Sequence, residues 1–281
     1  MIRIENLNFG YRQHPFLFRD FSLALEPGHI HGLLGRNGTG KTTLLKLISG
    51  LLFPKEGTIN VLEQKPALRR PSLYRDLFFI PEEFSLPPIS FDRFANVTAP
   101  LYPNFSSEAL DYYAAAFQVN RTGRLDHTSM GQRKIAYIAF AMACQTPVLI
   151  MDEPTNGLDI PAKSVFRRLL SGFADSDRCI LISSHQVRDI ENLIDRVTVI
   201  DGEGLLYNKS VEEIARRLSF GQLGPDETPL YSEEKLGGIY GVTENKRGEE
   251  QKVNLEMLFN ASVTNREAVI RILNDKNDDD E

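Results

Sequence analysis

The stretch Gly35-Arg36-Asn37-Gly38-Thr39-Gly40-Lys41-Thr42 constrains this chain more than any other. It fits the spacing Gly-x-x-x-x-Gly-Lys-Ser/Thr. Without a Cβ, its three glycines let backbone N–H groups turn inward around an anion. Lys41 can reach β- and γ-phosphates as a point charge, and the Thr42 hydroxyl can sit on Mg²⁺. The flanks agree. His29 to Leu34 is an apolar, strand-like run, and Thr43 to Ile48 reads as a helix that Gly50 can end. A helix N-terminus aimed at phosphates adds its dipole. Gly35 through Thr43 are therefore the expected nucleotide-binding residues. A chance match in a chain this long is about one in a hundred, and the strand–loop–helix setting lowers that further.

The 281 residues suffice for one large domain, or a large domain with an appendage. With 42% hydrophobic and 25% charged residues, the composition is that of a soluble globular protein. A net charge of −6 offers no global basic field for nucleic acid. The pairs Arg69-Arg70 and Arg167-Arg168 are most simply solvated helix surface. Cys144 and Cys179 lie in apolar runs and read as reduced core thiols, which fits the cytosol. The longest apolar stretch, Ile135 to Met151, is broken by Gln145, Thr146 and Pro147, which argues against a membrane span. Met1-Ile2-Arg3-Ile4-Glu5 lacks the apolar core of a secretory signal.

Ile2, Ile4, Leu7 and Phe9 alternate with polar residues, and Phe21 to Leu25 does the same. Both read as half-buried antiparallel strands, joined through a turn near Gln13-His14-Pro15. Gly57 to Leu62 and Leu77 to Ile80 are further strands. From about Ser85 the texture becomes helical, with helices from Ser90 to Val97 and Ser106 to Val119 and the two serines as N-caps. Ile135, Ile138, Ala139 and Met142 form the stripe of a half-buried helix from Gly131 to Ala143. Val148 to Met151 and Ile180 to Ile182 are continuous apolar runs, the pattern of parallel strands buried on both faces. A helix from Val187 to Arg196, a hairpin from Val197 to Leu205 and a short helix from Val211 to Leu218 follow. Leu223 to Thr228 reads as a linker. Leu230 to Val253 reads as two or three short strands with Gly237, Gly238 and Gly241 at turns. Ala268 to Leu273 is helical, and Asn274 to Glu281 reads as a disordered acidic tail.

Asp152 and Glu153 end the apolar strand that starts at Val148. A strand tip meeting the phosphate loop can hold Mg²⁺ through Asp152. Adjacent strand residues face opposite ways, so Glu153 is free to polarise a water in line with the γ-phosphate. Ser129 is a good N-cap, and Gly131 permits close approach, making a second helix N-terminus able to meet phosphate. On its own, that is an ordinary helix start. Pro154 to Asp159 reads as a turn. His185 ends the strand from Cys179 to Ser184, where its imidazole can contact the γ-phosphate. Tyr11 lies in a loop where its ring can stack on adenine.

In this order, these motifs resemble the ATP-binding subunits of ABC transporters, and the resemblance covers about Met1 to Leu206. The phosphate loop matches in full. Ile150 to Asp159 matches the Walker B segment and the D-loop, and Ser129-Met130-Gly131-Gln132 corresponds to the family's Leu-Ser-Gly-Gly-Gln signature. His185 aligns with the switch histidine and Tyr11 with the aromatic of the A-loop. Two departures stand out. Thr128 and Met130 replace the usual Leu and first Gly of the signature, while Ser129 and Gly131 are kept. Glu82 follows Pro81 where relatives usually place Gln, and such a Glu resembles the variant in ATPases of many two-gene exporters.

The resemblance implies an α/β fold: a P-loop NTPase core with a mainly parallel sheet, an N-terminal antiparallel β subdomain, an inserted helical subdomain at about 85–145 and a small C-terminal α+β extension. The expected domains are 1–222 and 223–281. It implies ATP and Mg²⁺ as ligands, with Thr42, Asp152 and Glu82 on the metal, Glu153 activating water, and Lys41 and His185 on the γ-phosphate. Ser129, Gly131 and Gln132 would cap nucleotide on the other subunit of a head-to-tail homodimer or heterodimer. It further implies a separate membrane-spanning permease subunit and a cytoplasmic place on the inner face of the plasma membrane. The alternative is a soluble relative acting on nucleic acid, ribosomes or protein assembly. One ATPase core, no long heptad run and the acidic charge all weigh against it, so no nucleic-acid partner is expected.

Overall fold

The structure is a computed structural model and describes all residues except 14, 15, 203, 225, 226, 247–250 and 275–281. The turn expected around His14 and Pro15 and most of the acidic tail therefore lie outside the described residues. The chain opens with β1 (Ile2–Phe9), β2 (Phe18–Leu25) and β3 (His29–Leu34), then α1 (Lys41–Ile48) and β4 (Glu56–Val61). β1 pairs antiparallel with β2 and β4, giving the sheet order β2-β1-β4. Its alternating residues bury Ile2, Ile4, Leu7 and Phe9 on one face. The alternation of a sheet with one wet side breaks once, between Ile4 and Leu7, where the register shifts and Asn6 has a φ of 49°, which keeps Leu7 and Phe9 on the buried face.

α2 (Pro71–Asp76) leads into β5 (Leu77–Ile80). Three helices then intervene: α3 (Phe91–Thr98), α4 (Ser107–Ala116) and α5 (Met130–Ala143). Ser90, Ser106 and Ser129 cap them through their side chains. Each such cap stabilises its helix by about 1 kcal/mol. α5 is more deeply buried than its apolar stripe suggested: every residue from Ile138 to Ala143 is buried. Its C-terminal half runs under the main sheet, so an all-apolar circumference replaces an amphipathic one.

The chain continues through β6 (Val148–Asp152), α6 (Ile160–Phe173), β7 (Cys179–Ser184), α7 (Val187–Ile190), β8 (Arg196–Asp201) and β9 (Gly204–Ser210). The main sheet has the order β5-β6-β7-β3-β8-β9. All its neighbours are parallel except the β8–β9 hairpin. Its strands divide their side chains between two cores. Leu33, Val148, Ile150 and Leu181 face α1 and the antiparallel sheet. Leu34, Leu149, Met151 and Ile182 face the helices of the other side. Burial on both faces explains the continuous apolar runs.

The helix expected from Val187 to Arg196 stops at Ile190. Asp195 N–H donates to Ile30 O at 3.1 Å and Arg196 already pairs with His31 in β8, so the ladder to β3 claims the residues that would have been the last turns.

Beyond β9 come α8 (Val211–Arg217), β10 (Leu218–Gln222), β11 (Tyr231–Lys235), β12 (Gly238–Glu244), α9 (Leu255–Thr264) and α10 (Arg266–Asn274). β10, β12 and β11 form an antiparallel sheet, so the strand ending at Gln222 pairs with strands that follow it. Gly237 and Gly238 sit at the expected turn with φ of 106° and 147°. Gly241 does not: it lies inside β12, opposite Gly221 and Ser232. There a Cβ would come within 2.4 Å of Tyr231 O. Val242, Leu258, Val269 and Leu273 join the same core cluster as Ile182 and Leu170. Among the described residues no helix is long and apolar enough to cross a membrane.

Candidate functional site

Four adjacent parallel strands, β5, β6, β7 and β3, end along one edge of the main sheet. Beyond β5 comes Glu82, beyond β6 Glu153, beyond β7 His185, and beyond β3 the loop from Gly35. Ligands of open α/β sheets bind outside such carboxyl ends. The sheet order thus gathers residues separated by as many as 150 positions in the chain.

The phosphate loop is wound as its glycines require. Gly40 precedes α1 with φ of 101°, a left-handed conformation that disfavours a side chain, and a Cβ there would also strike the Phe18 ring at 2.8 Å. Arg36, Asn37 and Gly38 are exposed, while Thr39 is buried and donates from Oγ1 to Arg36 O at 2.8 Å. Lys41 Nζ donates to Gly35 O at 2.7 Å and Arg36 O at 3.2 Å, folding its ammonium back under the loop. Burial lowers its pKa, and the nearby carboxylates of Glu153, Asp152 and Glu82 oppose that. Thr42 is half-buried in the first turn. Tyr11 is 43% exposed, and its hydroxyl lies 3.1 Å from Thr43 Oγ1, so the expected ring platform stands beside the loop.

Asp152 is 1% exposed. Ser183 Oγ donates to its Oδ1 at 2.5 Å, while its Oδ2 has no hydrogen-bond partner among the described residues. A buried carboxylate oxygen without a donor is costly, and a hard cation would satisfy it. Mg²⁺ keeps several waters and takes few protein carboxylates. The donor set of Asp152 with a threonine hydroxyl therefore fits that ion. Among the described residues no cluster of three or more His, Cys, Asp or Glu forms a fuller metal cage.

Glu153 has a φ of 47°, a left-handed conformation costing about 1–2 kcal/mol for a residue with a Cβ. Its neighbours hold it there. Its N–H donates to Ser183 O and Oγ, each at 3.1 Å. Its carbonyl accepts from Asn156 N–H at 3.1 Å and from Lys134 Nζ at 3.1 Å. His185 Nδ1 lies 2.8 Å from Glu153 Oε1. Burial raises the Glu153 pKa above its ordinary value, and the His185 contact partly offsets the rise. Strain of this kind at a strand end is a common mark of functional residues.

Glu82 Oε1 accepts from Asn156 Nδ2 at 2.9 Å, linking the end of β5 to the turn after β6. Sequence reasoning missed Lys134, Asn156 and Ser183. Lys134 shares a helix face with Ile138 and Ala141, a spacing that marks it as inward-facing. Ser183 is a polar residue closing a buried strand.

Ser129, Gly131 and Gln132 open α5. Ser129 Oγ accepts from Gln132 N–H at 3.2 Å, and Gln132 Oε1 accepts from Ser129 N–H at 3.1 Å. The Gln132 side chain is thus engaged in a capping box. A Cβ on Gly131 would meet Gly157 O at 2.6 Å, so the glycine permits contact with the turn after Glu153. Among the described residues no hydrogen bond joins these three to the phosphate loop of the same chain.

The segment after β9 also touches the site's rim. Arg188 Nε donates to Glu256 Oε2 at 2.6 Å, and Leu255 N–H donates to Glu191 Oε1 at 2.9 Å, so α9 braces the turn that follows His185. A cavity of about 330 Å³ separates Arg36 from Phe259 and Asn260 of α9.

Residues 18–156 match the family model described as ABC transporter. The zinc import ATP-binding protein ZnuC of Jannaschia sp. (strain CCS1) is 31% identical over 206 residues, covering 72% of this chain and 79% of that protein. The ABC transporter ATP-binding protein YtrB of Bacillus subtilis (strain 168) is 26% identical over 268 residues, covering 92% of this chain and 91% of the other. A solved ATP-binding subunit of an ABC transporter has the same fold, with a TM-score of 0.70 at 23% identity over 77% of this chain and 92% of that one. The dimeric structure of a bacterial ABC transporter cassette gives a TM-score of 0.63 at 19% identity, over 75% and 98%. Relatives named for transport favour a transporter subunit over an ATPase of nucleic acid, ribosomes or protein assembly. By its match to these ATP-binding proteins, the chain belongs to the ABC transporter family as an ATP-binding and ATP-hydrolysing subunit.

Proposed function

We propose that this chain hydrolyses ATP as its magnesium complex, with Glu153 as general base, and so drives a separate membrane-spanning permease. The observation that carries the reading is the buried Asp152 Oδ2, without a partner among the described residues, at the sheet edge it shares with Glu153 and His185. Thr42, Asp152 and Glu82 would hold Mg²⁺. When bound, the ion neutralises charge on the β- and γ-phosphates. The Gly35–Thr43 loop and Lys41 bind the triphosphate, and Tyr11 stacks on the adenine. His185 holds the γ-phosphate and keeps the Glu153 carboxylate aimed. Glu153 accepts the proton of the attacking water, and burial has raised its basicity for that task.

Ser129 and Gly131 are proposed to cap nucleotide held by the opposite subunit of a head-to-tail dimer, of two copies or of one copy with a relative. Gln132 would contribute by fixing the capping box. Solved relatives include a dimeric cassette. The ATPase pair sits on the cytoplasmic face of the plasma membrane, docked on its permease. Glu82 in place of glutamine points to the two-gene exporter type. The direct test is turnover of ATP by the purified chain across a magnesium series. Asp152→Asn is expected to abolish magnesium-dependent turnover while nucleotide still binds. Parent-level turnover by that variant contradicts the metal assignment.

A further inference from the structure

Lys134 is 1% exposed, one of the largest fully buried side chains of the protein. A buried ammonium is expensive unless it is paired and hydrogen-bonded. Among the described residues its Nζ donates to Glu153 O at 3.1 Å. Burial lowers its pKa, and the carboxylates of Glu82, Glu153 and Asp152 oppose that lowering. It projects from the second turn of α5, the helix whose first turn carries Ser129, Gly131 and Gln132.

The carbonyl it grips belongs to the residue in the left-handed conformation. Glu153 is held at φ of 47° by Ser183 on its N–H and by Asn156 and Lys134 on its carbonyl. Of these restraints, only the one from Lys134 comes from outside the two strand ends and the turn between them. We propose that Lys134 is a positioning residue for Glu153: it fixes the peptide that aims the carboxylate, and ties that aim to the helix carrying the signature residues. A methionine of similar length would fill the same space without the donor, leaving the carbonyl to Asn156 alone. Replacing a buried charge with an apolar side chain of like volume is often neutral or stabilising for folding. The aim of the carboxylate, by contrast, is sensitive to displacements of about 1 Å.

This inference rests on Glu153 being the general base, so the experiment carries both variants. ATP turnover, the KM for ATP and melting temperature are measured for the parent, Glu153→Gln and Lys134→Met. The expected result for Lys134→Met is a kcat lower by about 100-fold, with KM for ATP and melting temperature close to the parent. A folded Lys134→Met with parent kcat, while Glu153→Gln is dead, overturns the positioning role and leaves the base intact. An active Glu153→Gln overturns the base itself, and the inference with it. Should Lys134→Met fail to fold, Lys134→Leu is read by the same criteria. Failure of both to fold assigns Lys134 to folding and overturns the proposal.

Discussion

His185 Nδ1 stands 2.8 Å from Glu153 Oε1, so the residue that follows β7 meets the carboxylate that follows β6. Burial raises the Glu153 pKa, and His185 pulls it part of the way back. A base must be ionised, so kcat should fall as pH drops through this raised pKa, at a higher pH than an ordinary carboxylate would give. Removing His185 withdraws the offsetting contact. His185→Ala should therefore move the acid limb of kcat to higher pH and lower its plateau by about 100-fold. A pH–rate profile for both proteins checks this, and an unmoved acid limb contradicts it.

Glu82 and Asn156 make the second link across the sheet edge. Glutamine at position 82 keeps an oxygen that can accept from Asn156, whereas alanine removes it. Glu82→Ala should raise the magnesium concentration for half-maximal turnover about tenfold, and Glu82→Gln should stay near the parent. Magnesium titrations of ATPase rate decide, and equal midpoints for parent and Glu82→Ala would remove Glu82 from the metal site.

His31 is buried, and its pKa is pushed down to about 4 by that burial. An unfolded histidine titrates at the ordinary 6.5. Below that value the unfolded chain takes up a proton that the folded chain refuses. Stability is therefore lost as pH falls from 6.5 toward 4, by up to about 3 kcal/mol from this residue. His31→Gln should flatten the decline. Denaturation midpoints at several pH values between 7.5 and 5 measure it, and parallel slopes for parent and variant count against the assignment.

The C-terminal helices share the ATPase core. Leu258 is fully buried in the cluster that includes Leu170 and Ile182. Leu258→Ala should cost about 2–5 kcal/mol and lower one common transition, followed by circular dichroism and calorimetry. A separate early transition for the C-terminal segment would show that it folds apart.

The strand–loop–helix around Gly35 to Thr42 and the strands ending at Asp152 and Ser184 were legible because each carries a local pattern at a fixed spacing. The inner strands were legible because burial on both faces demands unbroken apolar runs such as Val148 to Met151. Helix α6 went unread although Asp159 caps it and Pro161 opens it, since the turn after Glu153 drew the reading short. Helix α9 and the sheet containing β10 have no comparably strong local signal, and packing onto the core settles them. The contacts His185–Glu153, Glu82–Asn156 and Lys134–Glu153 follow from strand order and helix placement, which one sequence does not state.

The most direct test pairs nucleotide capture with nucleotide cleavage in one preparation. Purified parent, Glu153→Gln and Lys41→Ala are incubated with radiolabelled ATP and magnesium, and bound nucleotide, released phosphate and oligomeric state are followed. The account expects the parent to release phosphate, Glu153→Gln to hold uncleaved ATP in a stable dimer, and Lys41→Ala to lose affinity for the nucleotide. Phosphate release by Glu153→Gln at the parent rate would contradict it.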